Sequence, residues 1–409
     1  MIRADEKLSG YDAWIIVATA LLIFMGLMAV YSATLTNNPA LQNNFVKQVI
    51  WVFLGIIVAS AVVLMPMKWF YQYAYVLYGI SILLLVLVLF LGKGSGGVHR
   101  WFILGPVRFQ PSEVAKIATL FALARYLSEE NRNLGQIKEV LIGFVIVLVP
   151  MALIVKEPDL GTALVFAAMV LPMMYWTGLS LFSVFLLIAP AITLVSAFTL
   201  KTFFLAMLLI VGVMLLSRRG LKVLIPNFLI NIGVGVMTPI LWAKLHAYQK
   251  KRILTFLGLE QDPRGLGYQV LQSKVAIGSG GVFGKGWKEG TQTQLRFLPE
   301  QHTDFIFSVV GEEFGFVGVL LVLTAFFVLL WRAFNIAAES RSRFSSLVVV
   351  GAAIIITFHV VVNTGMTVGI MPVTGLPLPF LSYGGSSLLA NLILIALILN
   401  AGRRKFQYF

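Results

Sequence analysis

Leu298-Pro299-Glu300-Gln301-His302-Thr303-Asp304 is polar, and residues 306–332 then read IFSVVGEEFGFVGVLLVLTAFFVLLWR. Crossing the hydrocarbon of a bilayer takes ~20 mostly apolar residues. The second stretch exceeds that, and its only charges are Glu312, Glu313 and the closing Arg332. It therefore reads as a spanning helix entered from a polar loop. Thr303 and Asp304 are placed to cap it, and His302 beside them is a candidate acid or base. Glu312 and Glu313 fall about two to three turns inside, where carboxylates need partners.

Moving outward, the same apolar texture recurs. Candidate segments lie at about 13–33, 49–65, 71–92, 112–127, 138–155, 159–176, 180–198, 201–217, 221–242, 306–332, 344–370 and 381–402. The fold class expected is an all-α polytopic membrane protein of about 12 transmembrane helices with one large extracytoplasmic loop. The composition agrees, since 59% of the residues are hydrophobic and 12% charged, which excludes an ordinary soluble domain of this length. The first apolar run outlasts a signal-peptide core and reads as a retained span. Cys is absent, which removes disulfides, thiol nucleophiles and Cys-metal sites. The net charge of +14 comes from residues scattered at helix ends rather than clustered on one face, so no nucleic acid is expected as a partner.

Charge also sets the expected orientation. With both termini cytoplasmic, the inner loops hold Arg3, Lys7, Lys68, Arg125, Arg132, Lys138, Arg218, Arg219, Arg341, Arg343, Arg403 and Arg404, as the positive-inside tendency requires. The polar stretch 243–305 then lies outside, with the 93–111 loop, the Glu157-Pro158-Asp159 turn and the 371–380 loop. It carries Lys250, Lys251, Arg252, Arg264, Lys274, Lys285, Lys288 and Arg296. A long loop can be translocated despite such charge; alternatively, the cations hold phosphate.

Within these outer segments Asp262, followed by Pro263 and Gly265, is either a turn carboxylate or a catalytic one. Gln110-Pro111-Ser112-Glu113 opens a helix with Glu113 and Lys116 three apart on one face, an ion pair that serves either as structural glue or as part of a cavity. Asp159 is either a helix cap or a site residue. The glycine runs at 278–281 and 284–286 either offer backbone N–H groups to phosphate or supply flexibility. Ser382-Tyr383-Gly384-Gly385 marks a broken helix entry. No His/Glu spacing suggests zinc, and the only room for a metal is a divalent cation (Mg or Mn) bound with a diphosphate.

Several motifs in order resemble the SEDS family (shape, elongation, division, sporulation). They are Val107 to Glu113, Glu157 to Thr162, Asp262-Pro263 with Gly267-Tyr268-Gln269, Gln272 to Gly281, Leu298 to Phe307 and Leu381 to Ser386. Gly284-Lys285-Gly286-Trp287 leading to Gly290-Thr291-Gln292 is similar to the elongation, RodA-like branch rather than the division, FtsW-like one. The resemblance implies one transmembrane domain over 1–409 that polymerises lipid II into glycan strands at the outer face of the cytoplasmic membrane. Its implied partners are lipid II, the lipid-linked glycan, a class B penicillin-binding protein and other elongation-complex membrane proteins. It makes Asp262 the essential carboxylate and places Glu113 and Lys116 in the functional cavity. Arg108, Gln110, Asp159, Lys274, Arg296, His302, Asp304 and Ser382 complete the candidate set. Family members usually have ten spans, so an extra pair is expected within 178–242. The rival readings are a lipid II flippase and a non-catalytic scaffold of the cell-wall complex.

Overall fold

The computed structural model describes residues 10–35, 39–92, 100–104, 107–130, 132, 134–217, 220–244, 247–256 and 265–407. The chain divides into two compact units, Met1–Thr177 with Gln261–Phe409, and Gly178–Glu260.

The first unit holds α1 (Ala13–Thr34), α2 (Pro39–Leu64), α3 (Met67–Leu91), a hairpin of β1 (Phe102–Leu104) and β2 (Val107–Phe109), α4 (Pro111–Ser128), α5 (Ile137–Lys156) and α6 (Leu160–Trp176). The second holds α7 (Leu181–Ser196), α8 (Leu200–Leu216), α9 (Leu221–Lys244) and α10 (Ala247–Phe256). The first unit resumes with α11 (Leu266–Ser279), α12 (Thr291–Gln294), α13 (Ile306–Glu339), α14 (Arg343–Thr367) and α15 (Gly385–Arg403). Every expected apolar segment is helical, and the protein is an all-α polytopic membrane protein. Among the described residues eight helices are long and apolar enough to span. The shorter α6, α7 and α8 are apolar too, whereas α4 is largely buried by its neighbours.

Four expected boundaries move. The start of α3 is at Met67 rather than 71. α2 begins at Pro39 rather than 49, and α13 continues past Arg332 to Glu339. The last helix begins at Gly385 rather than 381, because Leu378 to Gly384 is folded into irregular backbone that the site uses. Neither Thr303 nor Asp304 caps α13: the N-cap is Phe305 and no side chain caps it.

In the first unit α14 is the hub, packed against α4, α6, α13 and α15. It is mostly buried, and so is most of α15. The α1 and α13 helices run side by side with matched ends. At one end Asp12 caps α1 through Trp14 N (3.1 Å) and pairs with Arg332 at 2.6 Å. At the other, Ser32 donates to Glu313.

The α13 helix is broken at Gly315, where φ is 63° and ψ −160°. A Cβ-bearing residue strongly resists that conformation. The break frees backbone groups that residues 281–286 satisfy: Phe316 N donates to Gly281 O (2.9 Å) and Val317 N to Val282 O (3.0 Å). In the reverse sense Lys285 N donates to Glu312 O (3.0 Å) and Gly286 N to Glu313 O (3.1 Å). Without such pairing a broken helix at membrane depth is costly.

The second unit is held differently. Ala189, Ile210 and Met214 form its buried cluster. Thr193 donates to Asn231 Oδ1 (2.6 Å), and Asn227 Nδ2 to the Leu186 carbonyl (2.9 Å). Polar side chains bridging helices are a usual device where apolar burial alone gives little preference.

Candidate functional site

The β1–β2 hairpin delivers the chain to Pro111 at the first position of α4, where a missing N–H costs nothing. One turn on, Glu113 and Lys116 meet at 2.9 Å with both side chains buried. Lys116 Nζ also lies 3.3 Å from His359 Nε2 on α14. The other ring nitrogen, Nδ1, is 3.1 Å from the Pro377 carbonyl. A carbonyl only accepts, so Nδ1 carries the proton and Nε2 is left to accept from the lysine. The result is a carboxylate, an ammonium and a neutral imidazole in a line ending on the 371–384 segment.

Asp159 caps α6 through Thr162 N (3.2 Å) and accepts from Thr162 Oγ1 (2.9 Å). It also accepts from Gln110 Nε2 (3.3 Å) and faces Arg100 at 3.9 Å. The residue therefore caps its helix, and it also bonds Gln110 at the start of α4. Arg100 donates to the Glu157 carbonyl at 2.8 Å. The Glu157 side chain is 1% exposed, and among the described residues neither carboxyl oxygen has a hydrogen-bond partner. Burial, then the nearby Asp159, push its pKa up to about 8 against the opposing pull of Arg100.

The 371–384 segment gathers the rest. Ser382 Oγ donates to Thr303 O (2.6 Å) and accepts from Leu378 N (2.8 Å). Tyr383 N donates to His302 O (2.9 Å), and the His302 and Tyr383 rings are 5.7 Å apart. Burial lowers the His302 pKa, which favours a neutral ring. Asn363 on α14 donates to Asp304 O and Leu376 O, both at 2.8 Å. The Asp304 carboxyl approaches Gly375. Ser386 donates to the carbonyl of Arg108 (3.0 Å), whose side chain is exposed. Gln48 of α2 closes the ring, donating to Ser382 O and accepting from Gly384 N.

Lys274 packs over Gly369 at the end of α14. Its helix, α11, is pinned by Ser273, which bonds Ser308 (2.6 Å) and donates to Thr367 O (2.7 Å). Arg296 is exposed, with a positive φ of 57°, and its charge reaches His302. Asp262 lies outside the described residues.

One expectation is corrected. The 284–286 glycine run does not present its N–H groups outward, because Gly284, Lys285 and Gly286 all donate to backbone carbonyls. The Lys285 side chain pairs with Glu312 at 2.9 Å. Glu312 is fully buried and also accepts from Gln292 N (2.8 Å), Thr293 N (2.9 Å) and Thr293 Oγ1 (2.8 Å). It therefore latches residues 285–293 onto α13.

The candidates Glu113, Lys116, His302, Asp304 and Ser382 gather on one irregular segment. The Asp159–Gln110 pair adjoins it through Gly161, which packs on Thr374 and Leu376, Arg108 meets Ser386 just beyond it, and Lys274 and Arg296 lie on its flanks. Sequence reasoning missed His359, Asn363, Arg100, Glu157 and Gln48. His359 and Asn363 carried a signal, being polar residues four apart on one face of an apolar helix. Among the described residues no three His, Asp or Glu side chains come together as a metal site.

Comparison with known proteins identifies the family. The cell cycle protein family FtsW/RodA/SpoVE matches residues 12–206 and 200–407. The peptidoglycan glycosyltransferase MrdB of Escherichia coli (strain K12) is 37% identical over 376 residues, covering 91% of this chain and 89% of its own. The peptidoglycan glycosyltransferase RodA of Treponema pallidum is 32% identical over 429 residues, covering 97% and 98%. Among solved structures, a chain of a peptidoglycan synthase complex that coordinates polymerization and crosslinking superimposes with a TM-score of 0.73 at 33% identity, covering 98% of this chain and 99% of that one. The rod shape determining protein RodA of Thermus thermophilus gives 0.65 at 29% identity over the same shares. With matches that run almost from end to end, the chain belongs to the FtsW/RodA/SpoVE family.

Proposed function

We propose that this chain is a peptidoglycan glycosyltransferase that polymerises lipid II at the outer face of the cytoplasmic membrane during cell elongation. The observation that carries the reading is that Glu113 and Lys116 reach the 371–384 segment through His359, and His302 and Thr303 reach it through Tyr383 and Ser382, while Gly161, beside the Asp159–Gln110 pair, packs on Thr374 and Leu376 and Arg108 meets Ser386 just beyond. They come from separate segments in a family whose relatives are named for this activity.

The chemistry suits such a surface. A sugar hydroxyl of the acceptor attacks the anomeric carbon of the donor, and that carbon's bond to the diphosphate oxygen breaks. Undecaprenyl diphosphate departs with the electron pair. Asp262 takes the hydroxyl proton as general base, a contribution of about 10²–10⁴-fold, in a single inverting displacement. The leaving diphosphate needs charge stabilisation more than an acid, and Lys274, Arg296 and Arg108 are suitable cations. A divalent cation (Mg or Mn) would arrive with the diphosphate, which supplies oxygen ligands of its own. The distribution of basic residues supports cytoplasmic termini and an extracytoplasmic site. A class B penicillin-binding protein is the expected crosslinking partner, by likeness to the chain of the synthase complex.

The test is polymer formation by the pure protein with lipid II, alone and with its transpeptidase. Asp262→Asn is expected to abolish polymer, while an exposed-loop control such as Glu300→Gln retains it. Lipid II moved across vesicles with no polymer made under either condition would overturn the reading in favour of a flippase. Neither polymer nor transport would leave a scaffold. Chelation by EDTA reads the metal requirement in the same assay.

A further inference from the structure

Residues 281–288 form a short apolar segment unlike the rest of its loop. Val282 is 57% exposed and Phe283 82% exposed. Trp287 follows, its indole N–H donating to the Met28 carbonyl of α1 at 3.1 Å. Lys288 Nζ lies 4.7 Å from the Tyr31 ring centroid and 4.2 Å from that of Trp287.

The depth of this segment can be read against α1 and α13. Arg332 with Asp12 marks one polar level, and Glu313 with Ser32 the other. Glu313 and Arg332 are nineteen residues apart on α13, about 29 Å at helical rise, which matches the ~30 Å of bilayer hydrocarbon. Two independent contacts place the segment one turn inside the Glu313 level. Val317 N bonds Val282 O on α13, and Met28, four residues before Ser32, holds Trp287 on α1. The exposed side chains also continue an existing stripe. Phe316, Val317, Leu320, Leu321, Phe327 and Trp331 are exposed along one side of α13, with the spacing of a lipid-facing surface.

We propose that residues 281–288 are an interfacial anchor: Val282, Phe283 and Trp287 enter the acyl chains of the adjacent leaflet, and Lys288 sits at the headgroup phosphates. Aromatic residues flanked by lysine favour that boundary. The leaflet is the outer one if the orientation under Proposed function holds, but the insertion itself does not depend on it. The anchor gives the polar loop a fixed height above the bilayer, between α11 and the segment that carries Arg296 and His302.

The chain contains no cysteine, so one introduced cysteine reports one position. The full chain carrying Phe283→Cys is labelled with a nitroxide and reconstituted in vesicles of phosphatidylethanolamine and phosphatidylglycerol. Collision with oxygen is then compared with collision with a water-soluble nickel chelate. Phe327→Cys on the lipid-facing stripe and Glu300→Cys on the exposed loop calibrate the two extremes. The label at 283 is expected to favour oxygen over the chelate by a ratio near that of 327. A ratio like that of 300 overturns the proposal. So does shielding from both reagents, which would mean that the side chain is covered by protein.

Discussion

At the scale of the residue, two buried acids have opposite chemistry. Glu113 is ion-paired with Lys116, which is itself supported by His359. Removing one partner of a buried pair leaves an uncompensated charge, at about 3–5 kcal/mol, while replacing both is far milder. Lys116→Met is therefore expected to lower the thermal midpoint strongly and to cut polymerisation by roughly 10²-fold through misplaced neighbours. Glu113→Gln with Lys116→Met is expected to recover most of the midpoint. Thermal scans of the two single variants and the double variant measure that coupling. Among the described residues Glu157 has no such partner, and burial raises its pKa from 4.5 to about 8. The folded protein then holds this proton more tightly than the unfolded chain. Its favourable contribution is full below pH 4.5, declines as pH rises towards 8, and changes no further above. Glu157→Gln should flatten that decline, so that between pH 5 and 8 the wild type loses on the order of a few kcal/mol that the variant keeps. Parallel pH slopes for the two proteins would show that Glu157 ionises freely.

At the scale of the element, the broken α13 is the decisive feature. The step at Gly315 exposes backbone groups, residues 281–286 satisfy them, and Glu312 secures the chain that follows. The close approach demands glycine. A Cβ at Gly284, whose φ is +82°, would lie 2.1 Å from the Glu313 carbonyl oxygen, while one at Gly278 meets nothing within 4 Å. Gly284→Ala should therefore lower the midpoint and polymer yield together, whereas Gly278→Ala should change neither. Glu312→Ala leaves the Gln292 and Thr293 N–H groups without their acceptor, while Lys285 keeps Thr291 Oγ1; at about 1–3 kcal/mol for each unsatisfied group, the loss is visible in the same scans. If Gly284→Ala matched the wild type in both assays, residues 281–286 would not be held against α13.

At the scale of the whole molecule, what the sequence made legible follows from physics. Twelve apolar stretches were readable because a bilayer forces ~20 apolar residues into helices. Glu113 and Lys116 stood out because charge inside a span is rare. What stayed hidden was pairing across long separations. His359 meets Lys116 from 243 positions away, and Ser382 meets Thr303 from 79. The break at Gly315 was equally silent, since one glycine in an apolar run is ordinary. Charge bias predicts orientation, and the absence of cysteine makes that prediction directly measurable. Glu300 on its loop and Lys138 in the first turn of α5 are both exposed, at positions assigned to opposite sides of the membrane. In spheroplasts, Glu300→Cys should react with an impermeant maleimide before lysis, and Lys138→Cys only after it. The reverse order would place 243–305 in the cytoplasm, away from a polymer that grows outside. Reaction of both before lysis would mean that the number of crossings between positions 138 and 300 is even, so that one of the five helices α5 to α9, or another odd number of them, would not cross the membrane. Labelling order therefore tests the assigned topology and the side on which the chemistry takes place in a single measurement.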